Sequence, residues 1–142
     1  MHSSLKPILL VVGLLCCSVI AGYYLPPFSI LLSPAIAVAT TAIVMFSDGI
    51  RGVLTKCILA YVCVGLNDIG IKLWAGGTHD WEGQGFCNLF LLLSAIAALC
   101  ILIFGIITDK KGAVLRKISG ILLFIGLTAL HLVVFSKLGL NR

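Results

Sequence analysis

Charge is scarce in this chain, and acid is scarcest of all. Five Asp and Glu stand against ten Lys and Arg, and charged side chains make up 11% of 142 residues. A soluble domain of this size needs polar cover for its surface, and a chain that is 61% hydrophobic cannot supply it. The mean hydropathy of +1.20 says the same. A soluble globular fold is excluded, and bilayer lipid is the solvent this composition fits. The surplus of base does not point to nucleic acid. The bases sit at the ends of apolar runs, where they set topology and meet lipid headgroups, and no RNP-like, zinc-finger or helix-turn-helix signature occurs. Paired cysteine motifs are missing too: there are six cysteines but no C-x-x-C. Cys16, Cys17, Cys57, Cys63 and Cys100 lie in or beside apolar runs, and only Cys87 lies near a polar segment, so packing is their expected role.

What is there in abundance is apolar sequence, in five runs: 8–25, 30–46, 53–71, 86–107 and 118–135. A helix needs about 20 residues to cross about 30 Å of hydrocarbon. The last three runs meet this directly. The first is expected to be a retained helix rather than a cleaved signal, because it is long for a signal core. A lipoprotein site at Cys16 is not expected, since Leu15 stands where a small residue is wanted. In the second, Ser33-Pro34 reads as an N-cap followed by proline at the first helical position. That places a short helix after a non-helical Pro26-Pro27 link, with a full crossing as the expectation nonetheless. The predicted fold is an all-α integral membrane protein, a compact bundle of five transmembrane helices in a single domain over 1–142. Small residues for close helix approach are Ala35, Ala39, Gly65, Ser94, Ala98, Gly120 and Gly126.

With five spans the loops alternate sides. One side receives Lys6, Arg51, Lys56, Lys110, Lys111, Arg116 and Lys117, and the other only Lys72, Lys137 and Arg142. The positive-inside rule then predicts a cytoplasmic N-terminus and an external C-terminus. The expected location is a bacterial cytoplasmic membrane, with membrane lipids as partners.

Topology gathers the rare polar residues at the outer end. Asn67, Asp68 and Lys72 close the third run, Asn88 opens the fourth, and His131 lies near the end of the fifth. Between them runs "GGTHDWEGQG", residues 76–85, carrying His79, Asp80 and Glu82. Asp68 is the sharpest signal, because a carboxylate inside a membrane helix must face protein or water. Lys72 follows at i,i+4, and Tyr61 and Gly65 share its stripe. The pair serves either to cap the bundle or to line a polar cavity. His131 shares a face with Thr128, and a neighbouring helix, Asp68 or the loop could be its partner. His79, Asp80, Glu82 and His131 carry donor atoms that suit a divalent metal, although the spacing matches no known metal motif. The glycines at 76, 77, 83 and 85 allow the loop to fold back as a lid.

Three functions follow as expectations. The first is an outward-facing polar pocket for an ion or small polar solute, possible in transport, lined by Asn67, Asp68, Lys72, His79, Asp80, Glu82, Asn88 and His131. The second is an accessory subunit of a membrane complex, as a homo-oligomer or with another membrane protein. The third is an outer-leaflet enzyme with His79 or His131 as base and Asp80 or Glu82 as acid or metal ligand. Nothing supplies it a nucleophile, since Ser94 is expected to lie away from this end.

Overall fold

The computed structural model describes residues 5–74, 79–109 and 113–140. Five helices account for most of them: α1 (Leu5–Tyr24), α2 (Pro26–Phe46), α3 (Val53–Trp74), α4 (Trp81–Thr108) and α5 (Val114–Phe135). Each is long and apolar enough to cross a bilayer, and no strand occurs among the described residues. Lys110, Lys111, Arg142, Gly76 and Gly77 lie outside the described residues.

The second helix corrects the sequence expectation. It begins at Pro26, not Pro34, with prolines in its first turn and Pro34 in its interior. A helix's first-turn N–H groups have no intrahelical partner, so prolines there lose nothing. Pro34 does lose something, because it leaves the carbonyl four residues earlier without its donor. That carbonyl belongs to Ile30, and the Ser33 hydroxyl donates to it at 2.8 Å. The hydroxyl replaces the missing N–H, a repair suited to lipid-facing helices. The resulting 21 residues measure about 30 Å at about 1.5 Å each. The Pro26-Pro27 link predicted as non-helical is therefore the helix start.

The fourth helix also starts earlier than predicted. Asp80 is its N-cap, accepting from the Gly83 N–H at 2.6 Å, and Glu82 lies in the first turn. Both carboxylates complement the N-terminal end of the helix dipole. Gly83 and Gly85 are helical, so this part of the predicted lid is the first turn and a half of α4. Positive φ occurs among the described glycines only at Gly52 and Gly139.

In the bundle, α2 packs most closely on α4, and α3 on α5, with α1 lying against α2 and α3. The core runs through Cys57, Ala60, Val64, Ala98, Leu102 and Phe124. Small residues set the close approaches: Gly120 meets Cys57, Gly105 meets Met45, and Ala98 is fully buried. Gly126 faces open space. Helices α1 and α5 bury only 17% and 22% of their apolar windows against the chain, which leaves most of their surface for an apolar surround. Cys57, Cys63 and Cys87 are buried, Cys16, Cys17 and Cys100 are exposed, and all six are free thiols.

Candidate functional site

One end of the bundle, where α3 and α5 finish and α4 begins, holds a buried polar centre. Its hub is Asp68. One carboxylate oxygen, Oδ2, lies 2.8 Å from Lys72 Nζ and 2.9 Å from His131 Nε2. The three side chains expose only 5%, 0% and 2% of their surface, so water does not screen them. The i,i+4 spacing on α3 places Lys72 one turn beyond Asp68 on the same face. His131 reaches the same oxygen from α5, and Gly65 makes the space for it: a Cβ there would lie 3.2 Å from the imidazole.

Hydrogen bonds tie these groups together. Lys72 Nζ donates to Asp68, to Asn88 Oδ1 at 2.9 Å and to the Phe135 carbonyl at 3.1 Å. Three acceptors match the three hydrogens of an ammonium, leaving none unpaired. His131 donates Nε2–H to the carboxylate, and its Nδ1 lies 3.4 Å from the Tyr61 hydroxyl, accepting from it when the ring is neutral. Tyr61 and Phe135 also flank the ring, Tyr61 edge-on. The centre is thus a chain of donors converging on one carboxylate: Tyr61 to His131 to Asp68, with Lys72 as counter-ion.

The remaining polar residues do a different job. After α5 the chain turns back over the ends of α3 and α4, with Gly139 at φ +85°. Four of its carbonyls are held by four side chains: Phe135 by Lys72, Ser136 by Asn88 Nδ2 at 3.0 Å, Leu138 by Gln84 Nε2 at 2.7 Å, and Gly139 by His79 Nδ1 at 3.1 Å. Helix C-termini leave carbonyls without intrahelical partners, and this clasp satisfies them from neighbouring helices. Any Cβ on Gly139 would collide with the Lys72 carbonyl oxygen.

The predicted site residues therefore fall into separate groups. Asp68, Lys72, Asn88 and His131 come together. His79 joins the clasp, Asp80 caps α4, and Glu82 is exposed. His79, Asp80, Glu82 and His131 do not form a common ligand set: no group of three or more His, Cys, Asp or Glu side chains able to hold a metal occurs among the described residues. The acid and base named for an enzyme are likewise engaged elsewhere or apart. Thr128 does not pair with His131, and its buried hydroxyl has no hydrogen-bond partner among the described residues. Gln84 was not predicted as a site residue, yet its signal was present: it lies four residues before Asn88, on the same face of α4. Ser94 is closer to the polar centre than expected. It lines a small cavity with Ser33, Asn67 and Asp68, between α2, α3 and α4.

Comparison of the chain with family models, with curated proteins and with solved structures gives no match.

Proposed function

We propose that this is an integral membrane protein whose ion is the proton, taken up at the His131–Asp68 centre. One observation carries the proposal: His131 Nδ1 lies 3.4 Å from the Tyr61 hydroxyl, a group that can either donate or accept. When Nδ1 takes a proton, the imidazolium donates to Asp68 as before and to the Tyr61 oxygen, once the hydroxyl hydrogen rotates away. A proton is added without moving a heavy atom. The Asp68–Lys72 pair alone would satisfy a structural role, and the imidazole adds to it a group with two nitrogens that can hold or release a proton. Ionisable residues inside membrane helices mark ion and proton pathways by default. The groups facing His131 are Asp68 and Tyr61 from α3 and Phe135 from α5, with Lys72 behind the carboxylate. The excess of basic residues at the other end supports the reading that this end faces outward from a bacterial cytoplasmic membrane, with lipids around α1 and α5.

The test is histidine-selective ¹⁵N NMR of the protein in lipid nanodiscs, from about pH 8 to about pH 5, the range in which histidines change charge. The expected spectrum at high pH is the Nε2–H neutral form of His131, passing to imidazolium as pH falls. A His131 spectrum unchanged across that range overturns the proposal. His131→Gln assigns the signal.

A second reading, an accessory role in a larger membrane assembly or homo-oligomer, is favoured by the face between α4 and α5. There an apolar groove of about 200 Å³ is lined by Ala95, Ile96, Ile125, Ala129 and the unpartnered Thr128. A helix packed there would make small-residue contact through Ala95 and Ala129. Mass measurement in mild detergent decides it, since a lone monomer removes the homo-oligomeric form.

A further inference from the structure

Asn67 is buried, and its side-chain oxygen has no hydrogen-bond partner among the described residues. An unpaired buried carbonyl is among the costlier features a fold can carry, so its surroundings need an account. It belongs to the lining of the cavity between α2, α3 and α4, beside Asp68, Ser33 and Ser94, with Ile30 and Phe90 among the apolar wall. The cavity volume is about 10 Å³. One water needs about 10–15 Å³ of such space and two or more polar partners. Size and lining both meet that requirement.

We propose that this cavity is a binding site for one ordered water molecule, which donates to Asn67 Oδ1. The volume selects a single water over a hydrated cation, because a space of about 10 Å³ holds one water and no hydration shell. The hydroxyl geometry supplies the other partners. Ser33 sends its hydrogen to the Ile30 carbonyl, and Ser94 donates to the Phe90 carbonyl at 2.7 Å. The two hydroxyl oxygens, 3.2 Å apart, keep lone pairs, and one of them accepts the water's second hydrogen. The water thus ties Asn67 on α3 to the Ser33–Ser94 contact between α2 and α4. Through it, three of the five helices meet at one polar contact. This site goes beyond the proton reading and stands without it.

The experiment is a structure of the full chain in lipid at a resolution that shows ordered solvent, together with the Asn67→Leu variant. The expected result is a solvent peak within hydrogen-bond distance of Asn67 Oδ1 and of Ser33, Ser94 or Asp68, lost in Asn67→Leu. Melting in sodium chloride and in choline chloride at equal ionic strength is expected to be the same. No peak in the unmodified protein, or one that persists in Asn67→Leu, overturns the site. A sodium-specific rise in melting temperature overturns water as its occupant. If Asn67→Leu does not fold, the unmodified structure and the salt comparison still decide. His131 titration is measured separately, so either proposal can fail alone.

Discussion

Lys72 and Asp68 form an ion pair of 2.8 Å in which neither partner meets bulk water. Each charge depends on the other, and removing one leaves a buried charge uncompensated, at a cost of about 3–5 kcal/mol. Asp68→Asn is therefore expected to lower the melting temperature sharply in detergent. The double variant Asp68→Asn, Lys72→Met removes both charges and is expected to recover part of that loss. Thermal unfolding of the four proteins checks the coupling, and additive losses would show that the pair is not interdependent.

Two glycines that look alike in the sequence are expected to respond in opposite directions. A methyl at Gly65 meets the His131 ring at 3.2 Å, while Gly126 has nothing within 4 Å. Gly65→Ala should cost about 1–3 kcal/mol through overpacking. It should also move the His131 NMR signals. Gly126→Ala should instead raise stability by up to about 1 kcal/mol, the helix-propensity gain of alanine. Equal effects at the two sites would contradict the packing described. A loss confined to Gly126→Ala would point to a partner helix on that face.

The repair at Pro34 makes a prediction with its own rescue. Ser33→Ala leaves the Ile30 carbonyl without a donor, which should cost about 1–3 kcal/mol. Adding Pro34→Ala restores the backbone N–H and should return the stability. Circular dichroism melts of the single and double variants measure both steps. Failure of the second substitution to compensate would show that the hydroxyl matters for another reason.

Gly139→Ala tests the clasp. The position has φ +85° and no space for a Cβ, so the strain should be about 1–3 kcal/mol. The loss should be local. Hydrogen exchange should quicken at the amides of Leu138 and Leu140, which bond to Phe135 and Lys137 carbonyls, with the helix interiors unchanged. Unaltered exchange at these two amides would mean that the tail is held by something other than this turn.

How much of this was legible in the residues follows from which forces act locally. The five apolar runs read directly as helices because length and hydropathy are properties of one segment. The Asp68–Lys72 pair was equally visible, since i,i+4 neighbours need no tertiary information. Helix starts were read less well. Pro34 was taken as a first-turn proline because its repair by Ser33 is a side-chain event that proline statistics do not encode. Asp80 was taken as a possible ligand because caps and metal sites use the same side chains. The tail clasp escaped notice for a third reason: its acceptors are backbone carbonyls, which no residue letter marks. Tyr61 stood on the right stripe, but its partner lies 70 residues away on α5.

The centre also has a place in the order of synthesis. Asp68 and Lys72 can find each other as soon as α3 forms, but His131 and the Phe135 carbonyl arrive 63 residues later. Until α5 docks, an ion pair sits at a helix end with acceptors and donors still open. The last helix therefore completes the centre, supplying the imidazole and the carbonyl that α3 alone lacks.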